Sequence, residues 1–252
     1  MRCILLQPIE PASGSLKHCQ KYSSSSCSAP NWRVYSSVRV DTGVTAGVEV
    51  GSVEKESLRA KEHYFDGWAS RYDGFWTSLV YRWCHRLLLT HVRPADAVLD
   101  LGCGTGRLLG QMADRWEQMR GVGLDLSEGM IEQAHLRNRH SGRLKFLQGN
   151  AEELPFANGR FDALLCTFSF QHYPNPEGVL AEIGRVLRPG GRFYWVEAGA
   201  FGRTGSARMN ITPGGLRLYS PACRAQMALA AGLGCAAHRR LFGPVLLSIF
   251  VR

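Results

Sequence analysis

The stretch from Val98 to Gly106 constrains the fold of this 252-residue chain more than any other. It is an apolar strand, Ala97–Leu101, that continues into a loop with glycines at 102, 104 and 106 and then into a helix. Glycines let the backbone of such a loop approach a ligand closely, and the first turn of the helix offers free N–H groups. The loop therefore predicts a crevice that binds a nucleotide-type ligand at the end of this strand.

The spacing of the glycines narrows the class of ligand. A dinucleotide fingerprint GxGxxG would place its third glycine at position 107, where this chain has Arg107. The observed GxGxG therefore disfavours NAD and FAD. A phosphate-binding P-loop is excluded, because no Gly-Lys-Ser/Thr follows the glycines.

Asp125 ends the next predicted strand, 21 residues after Gly104. An acid at this place accepts hydrogen bonds from the two hydroxyls of a ribose. The alternative is an acid that is stabilised by the dipole of the helix starting near Ser127. The glycine loop nearby favours the ribose role.

Short apolar strands alternate with amphipathic helices through most of the chain, which indicates a parallel sheet covered on both faces. Gly243-Pro244 separates the last two strands tightly enough for a hairpin. We therefore expect an α/β, Rossmann-like fold: a seven-stranded, mostly parallel sheet with helices on both faces and an antiparallel last strand, at the edge or within the sheet. The predicted strands are 97–101, 120–126, 144–148, 161–169, 192–197, 236–241 and 245–251, and the predicted helices include 79–89, 106–118, 127–138, 177–187 and 221–231.

Charge and cysteine content argue against several function classes. The net charge of +9 belongs mainly to residues 198–252, which hold seven arginines and no acid. Their Arg203, Arg208, Arg217 and Arg224 could attract an anionic acceptor or a membrane surface, with a solvated basic surface as the alternative. No dense basic run with interleaved aromatics indicates a nucleic-acid partner. The eight cysteines form no CxxC pair or zinc-spaced cluster, so the sequence predicts no metal site and a reducing compartment.

Five motifs in order, over about residues 60–197, resemble those of class I S-adenosylmethionine-dependent methyltransferases. Residues 100–106 (DLGCGTG) resemble motif I, 123–127 (GLDLS) the ribose-binding strand end, and 149–156 (GNAEELPF) the adenine-binding segment. Residues 161–163 and 186–191 (VLRPGG) complete the series. The subgroup is similar to ubiquinone and menaquinone C-methyltransferases and to natural-product O- and N-methyltransferases, whose N-terminal cap resembles residues 64–73 (YFDGWASRYD).

This resemblance implies S-adenosyl-L-methionine as the methyl donor. Asp100 would lie near the ammonium group of the donor, and Asn150 near its adenine, where Asp is the commoner residue. Tyr64 and Tyr72 would close over the cofactor, or else pack on an amphipathic helix. The implied cofactor-binding residues are Asp100, Gly102, Gly104, Asp125, Leu126, Asn150, Ala151, Phe168, Tyr64 and Tyr72.

The acceptor pocket is expected at residues 167–174 (TFSFQHYP). His172 is the only group there with a pKa suited to base work near neutrality, which makes it the candidate catalytic residue. The alternative is a loop histidine bonded to a backbone carbonyl. The resemblance thus implies methyl transfer to a small-molecule acceptor (natural product, quinone or lipid-like), without nucleic acid or integral membrane contact. A methyltransferase-like protein that binds the cofactor or a partner without turnover is the other hypothesis.

The predicted methyltransferase domain covers residues 53–252. It comprises a helical cap over 53–92, a cofactor-binding core over 93–197, and an acceptor-side segment with the last strands over 198–252. Residues 1–52 are Ser-rich and show no apolar period. A disordered tail, an artefact of an upstream start and an organellar transit peptide all remain open for them. We expect a cytoplasmic location, or a plastid or mitochondrial one if this segment is a transit peptide.

Overall fold

The computed structural model describes residues 59–67, 75–200, 205–209, 212 and 215–252. The predictions for residues 1–52, Tyr72 and Arg203 lie outside these ranges. The helices are 59–67 (α1), Phe75–Leu89 (α2), Arg107–Arg115 (α3), Glu128–Arg137 (α4), Pro176–Val186 (α5) and Pro221–Ala230 (α6), with a 3-10 turn at Phe170–His172. The strands are Ala97–Leu101 (β1), Arg120–Asp125 (β2), Leu144–Gln148 (β3), Phe161–Thr167 (β4), Leu187–Ala198 (β5), Ser206–Met209 (β6), Leu216–Tyr219 (β7), Gly234–Phe242 (β8) and Val245–Val251 (β9).

Seven of the strands form one sheet in the order β3-β2-β1-β4-β5-β9-β8. β1 to β5 pair in parallel, whereas β9 runs antiparallel to both of its neighbours, β5 and β8. β9 thus lies inside the sheet and β8 forms its edge. The predicted fold is confirmed. Because successive strands add to opposite sides of β1, the sheet has a switch point between β1 and β4, where open α/β sheets bind ligands.

The strands send alternate side chains into two separate cores. On β4, Leu165 packs with side chains of α2, α3 and α4 on one face of the sheet. Its neighbours Leu164 and Cys166 pack with α5 and α6 on the other face. Burial on both faces explains why these strands are apolar at nearly every position instead of alternating.

Three helices begin with a side-chain cap, which satisfies one of the free N–H groups of the first turn. Ser127, Asn175 and Ser220 each accept the backbone N–H three residues ahead, at 3.1, 2.9 and 3.2 Å. In α5 and α6 a proline follows the cap, where its missing N–H breaks no hydrogen bond. These local signals are why the three helices begin within one residue of their predicted starts.

The segment 188–191 (RPGG) behaves differently from prediction. It was expected to separate the preceding helix from a strand at 192–197, but β5 begins at Leu187 and includes it. The pairing register between β4 and β5 shifts at this point, so the segment forms a bulge in the strand. An ion pair between Arg188 and Asp162 connects the bulge to β4.

A hairpin that was not predicted lies in the glycine- and proline-rich stretch after residue 198. β6 and β7 pair antiparallel there as a separate two-stranded sheet. β7 packs against the 3-10 turn, with the ring of Tyr219 edge-on to Phe170 at 6.1 Å. The hairpin therefore lies beside residues that were expected to form the acceptor pocket.

Arg224 is buried, so both interpretations of its charge, as an attractor of anions and as solvated surface, were wrong. Its side chain and that of Glu197 are each 0% exposed, with their charged groups 3.6 Å apart. The guanidinium donates to the carbonyls of Leu246 and Ala198 at 3.2 Å and lies over the ring of Trp195 at 4.7 Å. The packing of α6 on β5 and β9 creates this environment, which the charge pattern along the chain does not contain.

Arg224→Met should lower the free energy of unfolding by about 3–5 kcal/mol, because it leaves the carboxylate of Glu197 buried without its partner charge. Urea denaturation measures the change. Arg239→Met, on an exposed position of β8, should change stability by less than about 0.5 kcal/mol. Equal losses in the two variants would contradict a buried ion pair.

Candidate functional site

A cleft opens at the carboxyl ends of β1 to β4, beside the switch point of the sheet. The glycine loop after β1 forms one side, and the residues that follow β2, β3 and β4 form the others. Seven of the ten residues predicted to bind the cofactor line it together, as does His172. They are Gly102, Gly104, Asp125, Leu126, Asn150, Ala151 and Phe168.

The glycine loop is packed too closely for side chains. Gly102 has a positive φ of 69°, and a Cβ on it would lie 1.9 Å from the Oγ of Ser169. Gly106, with φ 74°, would place a Cβ 2.7 Å from the ring of Phe146. The sequence predicted the glycine loop as a ligand contact, and close packing against the loop after β4 and against β3 also requires glycine at these two positions.

Asp125 connects the glycine loop to the start of α4. Its Oδ2 accepts the N–H of Gly104 at 2.8 Å and its Oδ1 accepts the N–H of Ser127 at 3.1 Å. The cap of α4 is Ser127, and its first-turn acid is Glu128. Asp125 therefore precedes the helix, which weakens the helix-dipole alternative. A carboxylate can accept about four hydrogen bonds, so Asp125 keeps acceptor capacity beyond these backbone bonds, which suits a ribose hydroxyl.

Asp100 lies in a small cavity that adjoins the cleft behind the glycine loop, next to Tyr81 and His85. Its side chain is 1% exposed, and neither oxygen has a hydrogen-bond partner among the described residues. Burial, and secondarily the charge of Asp125, raises the pKa of Asp100 to about 7. A buried carboxylate in this state fits the cationic group of a ligand, as the resemblance implied.

Asn150 uses its side chain within its own turn. Its Oδ1 accepts the N–H of Glu152 at 3.1 Å. One lone pair of the oxygen that was expected to face an adenine is therefore engaged. Ala151, which is buried, follows it in the wall of the cleft.

Helix α1 covers the cleft and is hydrogen-bonded to the start of α4. Asp66 accepts the hydroxyl of Ser127 at 2.5 Å and the N–H of Gly129 at 3.2 Å. Lys61 and Phe65, one turn apart, line the cleft. Sequence reasoning had missed Lys61 as a site residue, and its four-residue spacing from Phe65 was the only signal that could have found it.

Tyr64 does not line the cleft. Its ring packs edge-on against Phe65 at 5.4 Å, and it is Phe65 that faces the ligand space. The aromatic cover expected from the tyrosine is thus supplied, among the described residues, by its neighbour.

His172 is the last residue of the 3-10 turn, and it contacts α1. The ring of Phe65 lies edge-on to its imidazole at 5.1 Å, and the ammonium of Lys61 donates to its backbone carbonyl. Burial, followed by the charge of Lys61, lowers the pKa of His172 to about 4. Its Nδ1 makes no hydrogen bond within the described part of the chain, so this nitrogen does not form the carbonyl bond of the alternative interpretation. This shift favours the neutral imidazole, and it also makes the ring a weaker base than a free histidine.

Phe168 carries a strained backbone, with φ 54° in a region that non-glycine residues rarely occupy. Its N–H donates to the carbonyl of Val196 at 2.7 Å, and Tyr81 packs edge-on against its ring at 5.2 Å. Strain of this kind concentrates at binding sites, where surrounding contacts hold it.

The described ranges contain no cluster of three His, Cys, Asp or Glu that could hold a metal ion. No helix within them is long and apolar enough to cross a membrane.

Residues 98–191, which form the glycine loop and most of the cleft, match a family described as a methyltransferase domain. The sheet order and the match define the class: a class I methyltransferase fold. Residues 98–191 are therefore a methyltransferase domain of this fold.

Two curated relatives are named as methyltransferases. A demethylmenaquinone methyltransferase from Symbiobacterium thermophilum is 36% identical over 160 residues, which is 56% of this chain and 62% of that protein. A fatty-acid O-methyltransferase from Mycolicibacterium smegmatis is 40% identical over 101 residues, 40% of this chain and 36% of that protein. The chain thus spans less than two thirds of the length of either relative.

A solved structure of similar size shows the same fold. It is the 1,6-didemethyltoxoflavin N1-methyltransferase of Burkholderia thailandensis, solved with bound 1,6-didemethyltoxoflavin and S-adenosylhomocysteine. The two superpose with a TM-score of 0.66 and 24% identity over 87% of this chain and 98% of the other.

Asp125→Ala should weaken binding of S-adenosylhomocysteine by about 2–4 kcal/mol, roughly 30- to 1,000-fold, because the ribose hydroxyls lose a charged acceptor. Calorimetry measures the affinity. Glu128→Ala removes the exposed first-turn acid of α4 and should change it by less than about 1 kcal/mol. Similar losses in both variants would mean that Asp125 acts only through the helix dipole.

Asp100→Asn should stabilise the protein and weaken cofactor binding. A carboxyl with a raised folded-state pKa makes the protein lose stability as pH rises from about 4 to about 7, and the amide removes this loss. The variant should exceed the original protein by up to about 4 kcal/mol at pH 8, with a smaller gap at pH 5. Urea denaturation at both pH values tests the sign. A variant that is less stable at pH 8 would show that Asp100 is stabilised by partners in the free protein.

Proposed function

We propose that the protein transfers a methyl group from S-adenosylmethionine to a small-molecule acceptor that is a natural product, a quinone or a lipid-like molecule, and that is anionic. The observation that carries the proposal is the pairing of Asp125 and Asp100 around one glycine loop. Asp125 has acceptor capacity for a ribose, and Asp100 is a buried carboxylate suited to a cation. The names of the demethylmenaquinone and fatty-acid relatives support a quinone or lipid-like acceptor.

When bound, S-adenosylmethionine supplies a methyl group on a positively charged sulfur, and the methyl group leaves by in-line displacement. Asp125 would hold the ribose hydroxyls and Asp100 the ammonium. The backbone of Gly102 and Gly104 would lie against the methionine part. Asn150 and Ala151 would line the adenine end. These residues would bind and orient the cofactor, and none of them needs to gain or lose a proton in the reaction.

On the acceptor side, the chain supplies proximity and a site with little water. Phe65, Phe168 and His172 close the cleft around the position where an acceptor would meet the methyl group. His172 lines the cleft with a neutral imidazole, which could take a proton from an acceptor once a bound anion compensates the charge of Lys61 that lowers the pKa of the ring. His172 is thus the proposed base for an acceptor with an ionisable O–H, N–H or S–H.

The proposal divides the chain as predicted, into a cap (53–92), a cofactor-binding core (93–197) and an acceptor-side segment (198–252). The described contacts support it, because α1 covers the cleft and β7 packs against the turn that carries His172. The cytoplasmic location stays a prediction.

Two measurements on the full chain test the proposal. Calorimetry should show binding of S-adenosylmethionine and S-adenosylhomocysteine in the micromolar range, about −7 to −9 kcal/mol. Incubation of the protein with methyl-labelled S-adenosylmethionine and a small-molecule extract should give one labelled product by mass spectrometry, and Asp125→Ala should reduce it.

Different results would point elsewhere. Saturable binding of NAD without binding of either methionine-derived ligand would overturn the cofactor. Tight binding with no labelled product from any extract would favour the alternative, a cofactor-binding protein without turnover.

A further inference from the structure

Lys61 is a buried cation in the cover of the cleft. Its side chain is 6% exposed, yet it lines the ligand space. One of its three N–H groups donates to the carbonyl of His172. An ammonium so removed from water is costly unless other groups compensate its charge. Burial, followed by the charges of Arg217 and Arg208, lowers the pKa of Lys61 to about 8, against a smaller opposing effect of Glu152.

The β6–β7 hairpin brings two of these cations to the same side. Arg208 and Arg217 stand directly opposite each other in the antiparallel pair. Like charges in this register destabilise a hairpin. β7 packs against the 3-10 turn whose last carbonyl is held by Lys61, so helix, turn and hairpin adjoin. Arg208 and Arg217 are thus close enough to Lys61 for their charges to lower its pKa, and Glu152 offsets this effect only in part.

A bound anion would offset the repulsion among these positive charges. Unfavourable charge arrangements of this kind are concentrated at functional sites, where proteins tolerate a loss of stability. Lys61 and the hairpin also lie outside residues 98–191, the part that holds the proposed donor contacts. Their position at the cap and the acceptor-side segment separates them from Asp100 and Asp125, which serve cationic and hydroxyl groups.

We propose that Lys61 and Arg217 bind a carboxylate of the methyl acceptor, with Arg208 increasing the positive field around it. An ammonium and a planar guanidinium together satisfy both oxygens of a carboxylate through charge-assisted hydrogen bonds. The acceptor is then an organic acid with an apolar body that lies against Phe65 and Phe168. This inference rests on the proposed function, because it assumes that the cleft holds an acceptor beside the cofactor.

Matched acids and amides test the proposal. The full chain is first saturated with S-adenosylhomocysteine and then titrated by calorimetry with benzoate, 2-naphthoate and hexanoate, and separately with their primary amides. At least one acid should bind at least about tenfold more tightly than its amide. Lys61→Met should remove this preference and Lys61→Arg should keep most of it. Arg217→Gln, which leaves the bond to His172 intact, should reduce it about three- to tenfold.

Lys145→Met provides the control, because Lys145 is exposed on β3 and contributes nothing to the cleft lining. Its preference for acids should be unchanged. If no acid binds better than its amide, or if Lys61→Met and Arg217→Gln both keep the preference, the proposal is wrong. If the two variants instead weaken S-adenosylhomocysteine more than about threefold, the cluster serves the cofactor and the proposal is also wrong. Failure of the original protein to bind S-adenosylhomocysteine would overturn the proposed function itself.

Discussion

The site depends on the two backbone hydrogen bonds accepted by Asp125. Gly104, in the glycine loop after β1, donates one of them, and Ser127, the N-cap of α4, donates the other. Because Ser127 in turn donates to Asp66, the same short segment also holds α1 over the cleft. The glycine loop, the start of α4 and the helix α1 are thus connected through the end of one strand. A substitution at Asp125 should therefore disturb the glycine loop, the start of α4 and the position of α1.

Burial shifts several titratable groups in and around the cleft toward their neutral forms. Asp100 is shifted toward the neutral acid, His172 toward the neutral base and Lys61 toward the neutral amine. In each case removal from water is the largest cause. Opposite charges would relieve Asp100 and Lys61, and a methionine-derived cation and an acceptor carboxylate would supply them. The free protein is in this sense incomplete, and bound ligands should stabilise it by mass action.

Local sequence signals predicted the fold well where strands are short, buried and bounded by breakers. β1, β3 and β9 have their predicted bounds, because apolar runs there end at glycine, proline or polar residues. The positions in the cleft followed from motif spacing, since parallel strands end at one edge of the sheet. The bulge at 188–191 and the β6–β7 hairpin were missed because glycine and proline indicate a turn without showing what pairs across it.

Roles that depend on distant contacts could not be predicted. Arg224 carries the same charge as its exposed neighbours in sequence, and only the packing of α6 on β5 and β9 makes it a buried ion partner. Lys61 lies more than 100 residues from His172, whose carbonyl it contacts. Phe65 lines the cleft and Tyr64 does not, because of the rotation of α1 about its own axis. The spacing of aromatic residues along the sequence does not show which of two neighbouring residues faces the cleft.

The internal place of β9 has a consequence for synthesis of the chain. β5 pairs with β4 on one side and with β9 on the other, and residues 245–251 leave the ribosome after every other strand of the sheet. Until then the outer edge of β5 has no partner in the final sheet, although its side chains from Phe193 to Val196 are fully apolar or aromatic. An open apolar edge of this kind invites pairing with other chains. The nascent protein should therefore depend on chaperones at this stage. The β8–β9 hairpin should pair with β5 late and as one unit, which completes the sheet.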